Sequence, residues 1–476
     1  MSKSLGKSAL RIGAALAAVL AAPHPAAAET LADALAKAYA FHPRLASSRA
    51  ALRAADEGVT QERARALGEI DGTYSYTVSN SSGFRRIVGS RRDSSDRDTF
   101  DTLSLGISGA IPIYSGGQIE NAIAGAQENV GAQRASLLAV EQEVLLAAVT
   151  AYEDVRRDLQ RVALARNNVR VISEQLRAAR DRFEVGEVTR TDVSQAEARL
   201  AFSRSNLAAA TGTLARSRQA YVAAIGEEPV DLAPPPPLPD LPDSLEAALA
   251  LTEAAHPRMV AARRAVRQAQ FAVKQALGAA LPTLNVTGGV SYENDLTTGA
   301  STTGETLSAQ VGLSGQVPLW TGGRNASLVR AAQARLAQAQ AELHDVARQL
   351  RQQTSVAWAN LDVARASIRA AREQIEAARI AFEGVREEAT LGARTTLDVL
   401  NAEQELNSAR VSLVESLRDE YVAAYQLLAA VGRLTVAHLG LDVSPYDPDA
   451  YVEQVRAAPY DYPRDDSVAW SSPWRP

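Results

Sequence analysis

Several stretches of the sequence alternate apolar and polar residues with the period of a β-strand. Between positions 307 and 319 almost every second residue is apolar, and serine, glutamine or glycine stands between them. The stretch from 103 to 113 repeats this pattern, and a shorter one from 73 to 78 precedes it. Successive side chains of a strand point to opposite faces, so the pattern predicts strands with one apolar and one wet face.

Two longer stretches have the period of a coiled-coil helix. Residues 118–183 and 324–388 contain no proline, and each predicts a helix about 100 Å long at roughly 1.5 Å per residue. Apolar residues recur at steps of three and four, from Leu343 to Val385 in the second stretch and from Leu137 to Ala179 in the first, where only Asp158 is polar. This heptad seam predicts packed helices. Each helix ends at a glycine turn, from which a partner helix returns.

The two sets of elements are copies of one unit. The motif Leu-x-x-Ala-Leu leading into His-Pro-Arg occurs at 31–44 and again at 245–258, a shift of 214 positions. A second motif, Pro-x-x-Ser/Thr-Gly-Gly, occurs at 112–117 and 318–323, a shift of 206 that holds to the end of the repeat. The first copy therefore has eight extra residues (214 minus 206), which we expect in the loop around Ser90 to Asp98.

This pattern divides the chain into five segments. Residues 1–28 have the basic start, apolar run and Ala-Ala-Ala end of a secretory signal peptide. Residues 29–226 and 244–436 are the two repeats, each with helices, two strands and a long helical hairpin. A proline-rich linker, 227–243, joins them. The segment 437–476 is rich in Pro, Asp and Tyr, and we expect it to lie along the surface or to be disordered.

Charge and cysteine content exclude several functions. The formal net charge is −5, and it becomes −8 once the three basic residues of the signal peptide are removed, which argues against a nucleic-acid partner. The sequence contains no cysteine, so disulfides, thiol catalysis and zinc–thiolate sites are excluded. No cofactor or metal motif is present. Beyond the signal peptide no apolar run approaches the roughly 20 residues of a membrane-spanning helix.

The predicted strands have two interpretations. A soluble β-sandwich and a membrane sheet both produce one-sided apolar strands. Here the strands are about ten residues or longer, which is the length needed to cross a bilayer, and Tyr114 and Trp320 stand where an interfacial aromatic girdle would lie. Four strands per chain are too few to close a barrel, so strands in lipid require an oligomer. Three copies would supply twelve strands.

The ordered set of motifs resembles the TolC family of outer-membrane exit ducts. The set comprises the signal peptide, the duplicated unit, the strand-to-helix turns and the sequence Gly-Ala-Arg-Thr-Thr-Leu-Asp at 392–398. The turns include Pro112, Gly116, Gly117, Pro318, Gly322 and Gly323. The resemblance implies a mainly α-helical chain with membrane β-strands. It further implies a homotrimer whose twelve-stranded barrel in outer-membrane lipid continues into an α-helical barrel, and which docks to a periplasmic adaptor and an inner-membrane transporter.

The resemblance also assigns residues at the periplasmic end of the tunnel, which the family closes with polar links between helices and subunits. It places the acidic ring of the constriction at Asp398, with a second ring position at Asn401. It places a linking arginine at Arg394, whose partners fall on Thr191 and Asp192.

Two of these positions depart from the family pattern. Ala389 replaces a tyrosine that makes one of the links, and Asn401 replaces an acidic residue, so the ring carries fewer charges. Other interpretations remain open: Arg394 could be a solvated turn residue, and Asp192 or Asp398 could serve as a helix N-cap.

Two other classes of protein compete with a channel. An enzyme is disfavoured because the five histidines are scattered and no catalytic, metal or phosphate-loop spacing is present. A periplasmic coiled-coil adaptor or scaffold would share the long hairpins. The alternating strands with their Gly-Gly turns argue against it.

Overall fold

The computed structural model describes residues 28–84, 95–295 and 304–457. The predicted signal peptide, except for its last residue, and the end of the C-terminal segment lie outside these ranges. The helices are α1 Leu31–Phe41, α2 Pro43–Leu67, α3 Gln118–Glu184, α4 Arg190–Ile225, α5 Leu245–Ala255, α6 Pro257–Gly278, α7 Arg324–Thr390, α8 Thr396–Ala430, α9 Val436–Leu439 and α10 Ala450–Ala457. The strands are β1 Glu69–Phe84, β2 Ser95–Tyr114, β3 Thr283–Asp295 and β4 Glu305–Gln316.

Short-range signals account for most helix starts. The first helices of the two repeats stop at His42 and His256, because a proline follows each histidine and begins the next helix. Each imidazole then caps that next helix: Nδ1 of His42 accepts from the backbone N–H of Arg44, and Nδ1 of His256 accepts from that of Arg258. The chain therefore bends at an equivalent place in both repeats.

The four strands form one antiparallel sheet in the order β1-β2-β3-β4. Cross-strand register sets apolar residues opposite one another: Tyr74 pairs with Leu105, Leu105 with Tyr292, and Tyr292 with Leu307. Their neighbours in sequence are mostly serine, threonine and glycine, which occupy the other face. The sheet therefore has one apolar and one wet face, as the alternation predicts.

The extra residues of the first repeat are mainly in its strands, so the predicted loop position was largely wrong. β1 and β2 have 16 and 20 residues, whereas β3 and β4 have 13 and 12. The stretch Ser95–Asp98 belongs to β2 and pairs with Phe84–Ser81. Residues 85–94, where the rest of the loop was expected, lie outside the described residues. Strand pairing satisfies the backbone groups that a longer loop would leave to solvent.

The helices form two layers that follow the order of the strands. Near the sheet, the packing order is α2, α3, α6, α7; farther away, it is α4, α3, α8, α7. The predicted heptad seam is buried at most positions, including Leu350, Leu361 and Ile368 in α7. Asp158, its polar member in α3, is buried and pairs with the guanidinium of the adjacent Arg157 at 2.9 Å.

The main core lies where the two layers meet. There α1, α2 and the ends of α4 and α8 surround the middle of α3. Tyr152, fully buried, places its hydroxyl within 2.9 Å of the carbonyl oxygens of Glu29 and Ala233. This contact ties the backbone at Glu29 to the proline-rich linker at Ala233.

The described part of the C-terminal segment, residues 437–457, lies along the surface of the first repeat. Asp449 forms an ion pair with Arg134 of α3 at 2.6 Å, and the Tyr451 hydroxyl donates to Glu57 of α2 at 2.7 Å. The segment thus crosses α2 and α3 in the first repeat.

Candidate duct entrance and membrane face

The apolar face of the sheet is exposed in the single chain. Tyr74 in β1 is 84% exposed and Val311 in β4 is 87% exposed, and apolar residues of β2 and β3 join them across the face. Leaving so large a contiguous apolar patch in water is unfavourable, so this surface needs lipid or protein cover. The opposite face, of small and hydroxyl-bearing residues, suits an aqueous lumen.

The predicted interfacial aromatics lie at the helical border of the sheet. Tyr114 is the last residue of β2, and Trp320 follows the end of β4 and is 88% exposed. Pro112, assigned to the strand-to-helix turn, instead belongs to β2. The β2–β3 register shifts between Pro112 and Tyr114, as expected where proline cannot donate a ladder hydrogen bond.

The strand-to-helix turns use glycine for two reasons. Gly116 and Gly117 have φ values of 64° and 76°, and Gly322 and Gly323 have values of 58° and 83°. Side chains are disfavoured in this left-handed region. At Gly116 space is also short, because an added Cβ would lie 2.6 Å from the carbonyl oxygen of Gly278 at the end of α6.

The distal turns present Asp192 and Asp398 as members of capping boxes. Thr189 and Thr395 are the N-caps of α4 and α8, and each aspartate accepts from the backbone N–H and hydroxyl of its threonine. The aspartates are therefore the third residues of their helices, and not the N-caps. The hydrogen bonds from Thr395 hold the pKa of Asp398 below its ordinary value, so this carboxylate stays ionised.

The structure does not bring Arg394 to its predicted partners within this chain. Its Nε donates to Glu388 of the same turn at 2.8 Å. Among the described residues no hydrogen bond joins Arg394 to Thr191 or Asp192, both of which are on the other hairpin. The described residues of a single chain therefore do not form this link.

Asn401 is joined to the first hairpin by a contact that sequence reasoning missed. Its Oδ1 accepts from the guanidinium of Arg199 in α4 at 2.8 Å. The adjacent Leu400 is 1% exposed and packs into an apolar cluster of the first hairpin, formed by Ile172, Leu176, Ala196 and Leu200. Heptad periodicity describes packing within a hairpin, so it could not reveal a contact between hairpins.

The described residues contain no candidate metal site and one helix that is apolar enough to span a membrane. Within residues 28–84, 95–295 and 304–457, no group of His, Asp or Glu side chains is placed to hold a metal ion. One helix in these ranges, α3, contains an 18-residue stretch apolar enough to cross a membrane, and 56% of it is buried by the rest of the chain. Such burial is typical of a core helix.

A membrane-type sheet continuous with long helical hairpins defines a channel protein of the outer-membrane duct class. Known proteins match this architecture. The sequence model of the outer membrane efflux protein family matches residues 34–227 and 248–433, one match in each repeat. Outer membrane efflux protein BepC of Brucella suis is 37% identical over 431 residues, which are 90% of this chain and 91% of BepC.

More distant matches agree. Outer membrane protein TolC of Vibrio cholerae is 27% identical over 418 residues, covering 86% of this chain and 92% of that protein. The crystal structure of the CmeC outer membrane channel of Campylobacter jejuni is similar with a TM-score of 0.74 at 15% identity, over 95% of this chain and 97% of that one. The chain belongs to the outer membrane efflux protein family. The predicted TolC-like fold, outer-membrane location and role as an exit duct are confirmed.

Proposed function

We propose that three copies of this chain form a passive conduit that carries exported molecules from a periplasmic entrance through the outer membrane. The observation that carries the proposal is the open four-stranded sheet, one face apolar and one wet, which continues into two long helical hairpins. The chain performs no chemistry of its own in this proposal. Energy and selection come from an inner-membrane transporter, to which a periplasmic adaptor connects the duct.

The trimer is supported by the edges of the sheet and of the two helical layers. Among the described residues, these edges have no neighbouring strand or helix on their outer side. β1 and β4 are the sheet edges, α2 and α7 end the helical layer near the sheet, and α4 and α7 end the distal layer. Strand edges in lipid must find partners, because each unsatisfied backbone group costs several kcal/mol there. A neighbouring copy can place the edge elements of its first repeat beside those of the second repeat of this chain. This contact covers the open edges of the sheet and of both helical layers. Three copies then close a twelve-stranded barrel.

The division into segments remains part of this proposal. We expect cleavage after Ala28, so that mature chains begin at Glu29 and consist of the repeat 29–226, the linker 227–243, the repeat 244–436 and the segment 437–476. The backbone of Glu29 bonds to Asp231 and Ala233 of the linker and to the Tyr152 hydroxyl, which supports a mature chain that starts at this residue. N-terminal sequencing of protein purified from membranes tests it.

The entrance is proposed at the distal turns of the hairpins. A ring of Asp398 carboxylates lines the constriction, and Arg394 of one copy links to Thr191 and Asp192 of the next. Each such polar link contributes roughly 1 kcal/mol net, so a symmetric set holds the entrance closed and still yields to a docked adaptor. Asn401 is assigned to the hairpin contact with Arg199 as well as to the ring.

Conductance measurements test the proposed entrance. Purified wild-type protein in planar bilayers should form channels of low conductance, and Arg394→Ala should raise that conductance several-fold by removing the links between copies. Arg386→Ala, on the exposed surface of α7, is the control and should leave conductance unchanged. A wild-type protein that stays a water-soluble monomer without conductance would contradict the duct itself. Unchanged conductance in Arg394→Ala would contradict only the gate.

The conduit should also be required for export in cells. A deletion strain is expected to accumulate ethidium or to lose secreted proteins from its medium, and the intact gene should restore the lost phenotype. A deletion strain unchanged in both respects would contradict a role in export.

A further inference from the structure

The second repeat has an open groove at a place where the first repeat is covered. In the first repeat, α10 lies over the groove between α2 and α3, and the Tyr451 hydroxyl donates to Glu57 at 2.7 Å. The shifts of 214 and 206 convert the lining of that groove into residues of α6 and α7. The resulting α6–α7 groove is open, since Leu277 and Leu281 in it are 52% and 45% exposed. Its lining also includes Val273, Lys274, Gln333 and Leu336.

The surroundings of the α6–α7 groove are strongly basic. Helix α6 has five basic side chains and no acidic one, and residues 324–341 of α7 add three arginines, again without an acid. Two of these cations, Arg264 and Arg267, share Glu128 of α3. Among the described residues no ion pair joins Lys274 of the groove or Arg330, which lies three residues before the groove residue Gln333 on the same side of α7. Both cations are therefore left for a ligand.

The α6–α7 groove lies directly beside the border of the membrane sheet. Gly278, at the end of α6, packs against Gly116 in the strand-to-helix turn of the first repeat. At about 1.5 Å per residue, Lys274 is roughly 6 Å from this border and Arg330, the seventh residue of α7, is roughly 10 Å from it. The headgroup region of a bilayer is about 5–8 Å deep on each side of the hydrocarbon core, and long basic side chains extend toward it. Both cations are thus within reach of lipid phosphates.

The groove faces outward in the proposed trimer. Helix α1 and the C-terminal segment lie on one side of the helical layer, where the Tyr39 hydroxyl contacts the backbone of Tyr446. On the inner side three such sets would block the conduit, so this is the outer side. Helix α10 covers the equivalent groove from that side, and the α6–α7 groove is therefore open to the periplasm and to the adjacent leaflet.

We propose that the α6–α7 groove binds an anionic phospholipid of the periplasm-facing leaflet, of the chemistry of phosphatidylglycerol. Lys274 and Arg330 hold its phosphate, and its acyl chains pass Leu277 and Leu281 toward the apolar face of the sheet. Basic residues beside a bilayer favour anionic over zwitterionic headgroups. The proposal rests on the proposed trimeric duct and adds a ligand to it.

The first repeat has no counterpart of this pair of cations. The shifts convert Lys274 to Thr60 and Arg330 to Ala124, both uncharged, and α10 already occupies the equivalent groove. The lipid site should therefore occur once in each chain and three times in the trimer.

Native mass spectrometry of the purified full-length trimer tests the site. In detergent, the wild type should bind three molecules of phosphatidylglycerol and should bind phosphatidylethanolamine with the same acyl chains more weakly. Lys274→Gln with Arg330→Gln should weaken phosphatidylglycerol binding about 30-fold, roughly fivefold for each cation. Lys274→Arg with Arg330→Lys keeps both charges and should bind like the wild type. Arg348→Gln, an exposed position of α7 far from the border, is the control for loss of charge.

A second comparison distinguishes a lipid from a free phosphate. Excess inorganic phosphate should not displace phosphatidylglycerol from the wild type. Leu277→Ser should weaken binding severalfold although both cations remain, because the acyl chains lose apolar contact. Displacement by inorganic phosphate, or unchanged binding in Leu277→Ser, would overturn the proposal.

The competing occupant of the groove is the segment 458–476 of the chain itself. A chain that ends at Ala457 should bind phosphatidylglycerol as the full chain does. Binding gained only after this truncation would show that the segment, and not a lipid, fills the groove.

The remaining outcomes separate the lipid site from the duct. Equal binding of the two lipids by a conducting wild-type trimer, or unchanged phosphatidylglycerol binding after loss of both cations, would overturn the lipid site and leave the duct intact. A protein that stays a water-soluble monomer would contradict the proposed function instead.

Discussion

At the scale of single residues, Asp398 shows how one carboxylate serves both folding and the proposed conduit. It completes the capping box that begins α8, and the same hydrogen bonds lower its pKa and keep it charged. Asp192 occupies the equivalent position in α4, where it forms the equivalent hydrogen bonds with Thr189. The two aspartates therefore form a matched pair in which only one is assigned to the constriction.

Asp398→Asn should reduce the preference of the channel for cations, because three negative charges leave the narrowest part of the pore. The amide oxygen can still accept from the backbone of Thr395, so α8 keeps its start. Reversal potentials under a salt gradient measure the selectivity, and Asp240→Asn, at an exposed position in the proline-rich linker, is the control. Equal selectivity in wild type and Asp398→Asn would place the constriction elsewhere.

His256 should make the stability of the second repeat sensitive to acid. Burial lowers the pKa of this imidazole to about 4, so the unfolded chain binds a proton more tightly than the folded chain between pH 6.5 and 4. Stability should therefore fall as pH falls through this window, by up to about 3 kcal/mol per chain. His256→Asn retains a capping side chain and should flatten this dependence.

Thermal unfolding in detergent at pH 7 and pH 4.5 measures the effect. The equivalent variant His42→Asn, at a more exposed position, should change the pH dependence less. The acid sensitivity would not come from His256 if the wild type and His256→Asn lost the same stability on acidification.

At the scale of elements, local sequence patterns predicted the features that nearby residues determine, above all the starts and ends of the long helices. The long helices begin at the residues that follow each Gly-Gly and end within two residues of the predicted positions, because proline, glycine and capping threonine act over a few residues. The alternation of apolar and polar residues located the strands less closely: it predicted 73–78 and 103–113, where β1 is Glu69–Phe84 and β2 is Ser95–Tyr114. What local patterns could not supply was the destination of the eight extra residues, since strand pairing between Ser95–Asp98 and Ser81–Phe84 is set by the partner strand.

The two strand-to-helix turns have the same backbone conformation but different surroundings within the chain. Gly116 abuts Gly278 within the chain, whereas an added Cβ at Gly322 would meet nothing within 4 Å. The shift between repeats places Gly322 against Ala64 of the partner subunit in the proposed trimer. Gly116→Ala should therefore impair folding of the chain itself, with a cost of about 1–3 kcal/mol for the clash added to backbone strain.

Gly322→Ala should instead leave the chain folded and lower the temperature at which the trimer dissociates on a semi-native gel. Membrane yield and protease resistance report on the chain, and the trimer band reports on assembly. If both variants behaved alike in the two measurements, the prediction that Gly116 packs within the chain and Gly322 between subunits would be wrong.

At the scale of the whole molecule, the architecture could be predicted because the duplication and the motif order are global features of the sequence. The closure of the entrance could not. Arg394 pairs with Glu388 in the same turn, and Asn401 turns to Arg199 of the other hairpin. The second contact depends on how two hairpins lie side by side, which no single periodicity encodes.

The register between subunits can be predicted from the register between repeats. Ile107 of β2 pairs with Val290 of β3, and the repeat shifts convert this pair to Leu313 of one copy and Tyr76 of the next. Directly paired strand residues are close enough for a disulfide. Leu313→Cys with Tyr76→Cys should therefore give oxidised dimers and trimers on denaturing gels.

The control for this prediction is Leu313→Cys with Ser75→Cys. Moving one thiol by a single residue turns it to the opposite face of the sheet, so the yield of linked chains should drop sharply. Equal linkage of both pairs, or linkage of the control alone, would mean that the subunits pair in another register.

The unequal strand lengths give the mouth of the barrel an uneven rim. Ser95–Asp101 of β2 pair with β1, and among the described residues these seven have no partner in β3, whose described part ends at Asp295. Around a closed ring of three copies, longer strand pairs from the first repeat alternate with shorter described pairs from the second, and seven residues correspond to roughly 24 Å of strand at about 3.4 Å per residue. An antibody or phage that approaches the cell from outside would therefore reach the described strand ends of the first repeat before those of the second.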